Sequence, residues 1–152
     1  IVEKTGDIFD APPNSVIIHA CNCKGHWGAG IAAAFKSHYP EAHKIHASYC
    51  THCPDKLAPI GTAQLIPPVD GEANNIKHYV GCLYTSTYYG RKKDSPSKIL
   101  ENTGPAMEHL LELIENAKQK VEVGEVRMCK INSGLFKVPW EKTRKMLEGL
   151  DV

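Results

Sequence analysis

Excess charge is missing from this 152-residue chain: 18 Lys and Arg stand against 17 Asp and Glu, a formal +1 with histidine neutral. Broad electrostatic binding of nucleic acid needs clustered cations, so that partner class is set aside. The one compact basic run, Arg91-Lys92-Lys93, lies between Gly90 and Asp94-Ser95-Pro96 and reads as a solvated loop. No apolar run approaches the roughly 20 residues that span a bilayer, so no membrane partner is expected. The opening "IVEKTGDIF" mixes acidic and basic residues without a small-residue cleavage site, unlike a signal peptide. Internal repeats, low-complexity tracts and linkers are missing too. One domain over 1–152, monomeric, is the expectation.

Several catalytic signatures are also absent. No arginine lies six positions after any cysteine, and no Asp-x-Asp occurs, so two covalent phosphatase routes are closed. No Gly-Lys-Ser or Gly-Lys-Thr follows a glycine loop, which excludes a Walker loop. Gly28-x-Gly30 is followed by Ala33, with no acidic residue at the expected later strand end, so the dinucleotide fingerprint is incomplete.

What is present is an alternation of strand and helix signals. Ile1 to Thr5 reads as a short first strand. "SVIIHAC", Ser15 to Cys21, is apolar and β-branched, as a buried parallel strand would be. "GAGIAAAFKSHY" turns alanine-rich at helical spacing, and Pro40 suits the first turn of a second helix. Gly61 to Pro67 and Ile76 to Ser86 read as strands joined by the turn-rich "DGEANN". A long helical pattern follows over Ile99 to Ala117, with Pro105 predicting a kink or a fresh start. Glu125 to Ile131 reads as a strand, and "WEKTRKMLEGL" as a closing helix capped near Gly149. The order predicts an α/β layered sheet.

Six cysteines could form three disulfides. Cys21, Cys82 and Cys129 instead lie in apolar strand-like runs, where a thiol behaves as a small hydrophobe. A reducing compartment, cytosol or nucleus, is the reading. His46, Cys50, His52 and Cys53, with His38 and His43 upstream, raise zinc as an alternative. The second Cys-x2-Cys or finger-spaced histidine pair is missing, so a histidine-rich surface helix with a buried Cys50 is preferred. No cofactor and no metal are assigned.

Two glycine loops follow strands and open helices: "NCKGHWGAG" and "NSGLFKVPW". Each can aim backbone N–H groups at an anion, with helix dipole in support. A pair of them could hold a diphosphate. The alternative is that the glycines serve turns and helix packing.

"TGDIF", "HACNCKGHWGAGIA" and "INSGLFKVPW", in this order, resemble the macro domain family, nearest to its fungal ADP-ribose 1''-phosphate phosphatases in the terminal ADP-ribose protein glycohydrolase-like branch. The resemblance implies a three-layer α/β/α sandwich with a mixed central sheet. The implied ligand is ADP-ribose or ADP-ribose 1''-phosphate, with ADP-ribosylated proteins as further partners. Asp7 would take the adenine amino group, with Ile8 at the same end. Asn22 would lie near the distal ribose, orienting it or a water. Gly28, Ala29, Gly30 and Ile31 would form the first diphosphate loop, and Ser133, Gly134, Leu135 and Phe136 the second. His19 matches a candidate catalytic histidine. Trp27 would cover the distal ribose or anchor the loop, and Phe136 would stack over the diphosphate end or plug the core. Trp140 would pack the last helix.

Two departures stand out. The glycohydrolase lysine falls near Thr85-Ser86 and its aspartate at Phe136, so that covalent mechanism is not implied. This branch also continues into a final strand beyond the last helix, whereas this sequence stops at Val152. Three functions stay open: release of phosphate from ADP-ribose 1''-phosphate, removal of ADP-ribose from protein or nucleic-acid ends, and non-catalytic reading of ADP-ribosylation.

Overall fold

The structure is a computed structural model that describes residues 1–52, 59–70 and 78–150. Its centre is a four-stranded sheet in the order β2-β3-β1-β4. The strands are β1 (Val16–Asn22), β2 (Ala63–Ile66), β3 (Tyr79–Ser86) and β4 (Val126–Met128). β1 pairs in parallel with β3 and with β4, while β2 runs antiparallel to β3. The helices are α1 (Gly30–His38), α2 (Pro40–Thr51), α3 (Pro96–Lys118) and α4 (Trp140–Glu148).

Side-chain alternation along the strands divides the interior in two. Ile17 and Cys21 of β1, with Val80, Cys82 and Tyr84 of β3, pack against Phe35, Tyr39 and Ala42 of α1 and α2. Val16 and Ile18, with Tyr79 and Leu83, face Ala106, Met107, Leu110 and Ile114 of α3 and Leu147 of α4. The result is a three-layer α/β/α sandwich with a mixed sheet, as the sequence implied.

Gly81 lets the second layer close. A Cβ there would stand 2.9 Å from Leu110 Cδ2 and 3.1 Å from Ile18 Cγ1. The buried positions of α3 recur at helical spacing, Ile99, Thr103, Met107, Leu110 and Ile114. Ser95 caps this helix, its side chain accepting from Lys98 N, and Pro96 fills the first turn.

Several boundaries differ from the sequence reading. Ile1 to Thr5 forms no strand. Glu3 instead accepts from Trp140 Nε1 at 2.6 Å and pairs with Arg144 at 3.1 Å, so side-chain contacts lay this segment along α4. α3 passes through Pro105 without a fresh start. Pro105 lies on the exposed side of α3, where water can serve the carbonyl that loses its N–H partner. β4 is only three residues long, so Cys129 lies beyond it and is half-buried. Gly149 does follow α4 directly, but with φ −82° and not the left-handed form. The "DGEANN" turn lies, apart from Asp70, outside the described residues. Among those residues no helix is long and apolar enough to cross a membrane, and Cys21, Cys50, Cys82 and Cys129 are free thiols.

Gly81→Val adds bulk where Leu110 and Ile18 already meet. It is expected to destabilise by about 1–3 kcal/mol, seen as a lower urea midpoint. An unchanged midpoint would mean that the α3 layer closes without this contact.

Candidate functional site

β1, β3 and β4 run parallel, so the loops 23–29, 87–95 and 129–139 leave the sheet at one end. Open α/β sheets gather ligands at that end. The loops touch in pairs. Cys23 N donates to Thr87 O at 3.2 Å. Lys24 Nζ lies 4.7 Å from the centre of the Tyr88 ring, and His26 stacks on Tyr89 with centroids 4.0 Å apart. Gly30, at φ 61°, lies so close to the third loop that a Cβ would meet Leu135 Cδ1 at 3.2 Å.

Local hydrogen bonds shape the first loop. Asn22 Nδ2 donates to His26 O at 2.8 Å, and Asn22 Oδ1 accepts from Lys24 N at 2.9 Å. Asn22 is itself buried, so its amide is committed to holding the turn. Gly25 takes φ 73° against Ala47. His26 is exposed, and its ring stands where a Gly28 Cβ would go. Gly28, Ala29, Gly30 and Ile31 are all exposed. α1 opens here with Ala29 as N-cap and no side-chain cap. Its first N–H groups therefore lack an intrahelical acceptor and carry the positive end of the dipole.

The third loop is set by Asn132, which is buried and left-handed at φ 65°. Asn132 Oδ1 accepts from Thr85 Oγ1 at 3.0 Å, and its Nδ2 donates to Thr103 Oγ1 at 2.9 Å and Thr143 Oγ1 at 3.5 Å. One amide thus joins β3, α3 and α4 to the loop. Beyond it, Ser133, Gly134 and Leu135 are exposed and Phe136 is half-buried, while Ser133 Oγ donates to Lys130 O. A Cβ on Gly134 would meet nothing within 4 Å. Asp7 is exposed, and its Oδ1 accepts from Phe9 N at 2.9 Å, with Ile8 half-buried beside it. Burial, then the charge of Asp7, pushes the Cys129 thiol up, which places Asp7 near the third loop.

Two residues singled out from the sequence lie inside. His19 is 0% exposed and stacks on Phe35 at 4.0 Å. Its Nε2 lies 3.4 Å from Cys21 Sγ. Burial holds its pKa below the ordinary histidine value, so the ring is neutral at pH 7. A proton carrier must meet its substrate. This ring lies in the core and meets none of the three loops' open surface. Trp27 is 1% exposed and packs on His19 and His46, so it anchors the first loop from within.

In the α2 cluster, His46 Nε2 lies 4.0 Å from Cys50 Sγ. His46 is buried, contrary to a surface position, and Cys50 is half-buried. His52 is exposed and bonded to Ser48; Cys53 lies outside the described residues. Trp140 is half-buried at the start of α4.

Sequence reading missed His26, Tyr88, Tyr89, Ser86, Asp94 and Asn132. Ser86 Oγ donates to Tyr88 O and accepts from Asp94 N, and Asp94 Oδ2 accepts from Thr87 N, which fixes the second loop. The paired tyrosines after a strand, "TSTYYG", were the available signal.

Asn132→Ala leaves Thr85, Thr103 and Thr143 without their shared partner and puts at φ 65° a residue less tolerant of the left-handed region than asparagine. A loss of about 2–4 kcal/mol is expected from these combined terms, measured by urea unfolding. A loss below about 1 kcal/mol, the worth of one net hydrogen bond, would show that the threonines re-pair.

The sequence matches the family described as Macro domain over residues 18–147. It is 45% identical over 158 residues to the ADP-ribose 1''-phosphate phosphatase of Chaetomium globosum, spanning 100% of this chain and 84% of that protein. It is 41% identical over 183 residues to the protein of the same name from Aspergillus fumigatus, spanning 100% and 92%. Among solved structures, the macrodomain of Mycobacterium tuberculosis DarG superposes with TM-score 0.73 at 18% identity, covering 95% of this chain and 85% of that one. Thermosipho africanus DarTG in complex with ADP-ribose superposes with TM-score 0.68 at 16% identity, covering 93% and 36%.

Proposed function

The chain belongs to the macro domain family, and on that footing we propose that it binds ADP-ribose 1''-phosphate and hydrolyses it to ADP-ribose and inorganic phosphate. The observation that carries the reading is the facing pair of glycine loops: the uncapped start of α1 at Gly30 under Leu135 of the third loop. A diphosphate needs several N–H donors, and these two segments supply them from the start of α1 and from the open main chain at Gly134, with His26 and Leu135 at the borders. The name shared by the relatives from Chaetomium globosum and Aspergillus fumigatus supports the phosphomonoester as substrate.

In the proposed complex, Gly28, Ala29, Gly30 and Ile31 face the diphosphate from one side and Ser133, Gly134, Leu135 and Phe136 from the other. Asp7 keeps Oδ2 for the adenine amino group, and Ile8 lines that end. Asn22 acts by holding the first loop. Water attacks phosphorus, the P–O bond to the ribose breaks, and the ribose oxygen takes a proton. His26 is the side chain we assign to supply it, because its ring is exposed and lies over Gly28 at the mouth of the cradle.

Phosphorus NMR of ADP-ribose 1''-phosphate with catalytic protein is expected to show a growing inorganic phosphate line. Shifted diphosphate lines without free phosphate would leave a binder of ADP-ribose and overturn the phosphatase. Gly134→Val fills the open space of the third loop without touching protein. It is expected to weaken ADP-ribose binding at least about tenfold, the worth of about 1.4 kcal/mol, with an unchanged melting temperature. Full affinity in calorimetry would remove this loop from the site.

His26→Ala is expected to lower kcat by about 10²-fold or more, the range for a lost proton donor, with KM little changed. An unaltered kcat would return the proton to solvent.

A further inference from the structure

The inner core between β1, β3 and α2 holds a second concentration of chemistry that the proposed reaction does not use. His19 and Cys82 lie side by side on β1 and β3, and Cys21 lies two residues beyond His19 on the same face. One ligand atom from each, a ring nitrogen and two sulfurs, all stand within 4.8 Å of one another, and all three residues are buried. His46 approaches Cys82 from α2.

We propose that His19, Cys21, Cys82 and His46 form a closed four-coordinate site for zinc, a structural metal centre beneath the ligand cradle. The site shares only His46 with the cluster considered from the sequence.

Distances agree with this assignment. Zn–N and Zn–S bonds near 2.0–2.1 and 2.3 Å at tetrahedral angles put ligand nitrogen and sulfur about 3.6 Å apart and paired sulfurs about 3.8 Å apart. His19 Nε2 and Cys21 Sγ already stand 3.4 Å apart. Small movements would bring Cys82 into the same sphere, and His46 would turn its Nε2 in from the Cys50 side to complete it.

Charge agrees as well. Binding releases two thiol protons, so one divalent cation meets two thiolates and two neutral imidazoles. The sum is zero, which a dry interior accepts far better than a net charge.

The surroundings hold the ligands as a metal's outer partners do. Tyr84 O–H donates to Gln64 Oε1 at 2.8 Å, so toward His46 Nδ1, at 3.1 Å, its oxygen must accept. His46 then carries hydrogen on Nδ1, which leaves Nε2, the nitrogen on the Cys50 side, as the one that would lose its proton to a metal. Trp27 supplies an independent sign. Its Nε1–H is buried with no hydrogen-bond partner, and the ring lies against His19, His46 and Cys21. A metal-bound thiolate at Cys21 would give that donor an acceptor.

The full chain, expressed in zinc-supplemented cells and purified without chelator, is expected to carry about one zinc per chain by elemental mass spectrometry. Refolding in cobalt should give a thiolate-to-cobalt charge-transfer band and intense tetrahedral d–d bands. Cys82→Ser should abolish these bands, whereas Cys50→Ser and His52→Ala should keep them. If Cys82→Ser does not fold, the wild-type spectrum and stoichiometry decide. Metal-free protein with no cobalt bands would overturn the proposal. Bands that survive Cys82→Ser but vanish in Cys50→Ser would overturn it equally, by putting the metal on α2.

Discussion

β1 and β3 leave no face for water. Val16, Ile18 and Leu83 are covered by α3 and α4, while Ile17, Cys21, Val80 and Tyr84 are covered from the α1 and α2 side. A sheet packed on both faces cannot slip by one residue without exchanging its two interiors. That constraint fixes where each strand stops, and so where the loops at its carboxyl end begin. Asn22, Ser86 and Asn132 take over there, each spending its side chain on backbone or on neighbouring hydroxyls.

The loops that result are unlike a conventional catalytic cleft. Gly28 and Gly30 sit at the points of closest approach, and Gly134 leaves the main chain of the third loop open. A site built from N–H groups presents dipoles whose direction does not change with pH. In the proposed complex, recognition of a diphosphate would depend on loop shape, and loop shape depends on the buried side chains of Asn22 and Asn132. The aromatic contacts of His26 and Tyr89 and of Lys24 and Tyr88 bring the second loop, from β3, to the rim.

How far the residue order discloses this differs from element to element. β1, β3 and α3 announce themselves because burial imposes a period, two for the strands and near 3.6 for the helix. Both glycine loops were visible because turn chemistry is local. The failures have one origin in long-range contact. Ile1 to Thr5 has strand-like residues, but its side chains are drawn along α4 by Trp140 and Arg144, more than a hundred residues away. Pro105 interrupts a pattern on paper, yet it falls on the side of α3 that water can reach. His19, midway along β1, has Phe35 and Trp27 packed over it, contacts that no local pattern announces. His26 and Tyr89 are 63 positions apart, so no spacing rule could have paired them. The same is true of the inner thiols and imidazoles, whose grouping needs β1, β3 and α2 assembled first.

The amide of Asn132 meets Thr85, Thr103 and Thr143, which come from a strand and two helices. Each partner is small, polar and buried, and each is suited to the others. Replacing any one by an apolar residue strands the remaining polar atoms, so tolerated routes through sequence space would change several of them together. Across diverging lineages the four positions should therefore behave as a single inherited character. The exposed rim at Tyr88, Tyr89 and Leu135 is free to vary with the ligand's outer end. Diversification in such a scaffold is steered to the rim because its foundation can be exchanged only as a block.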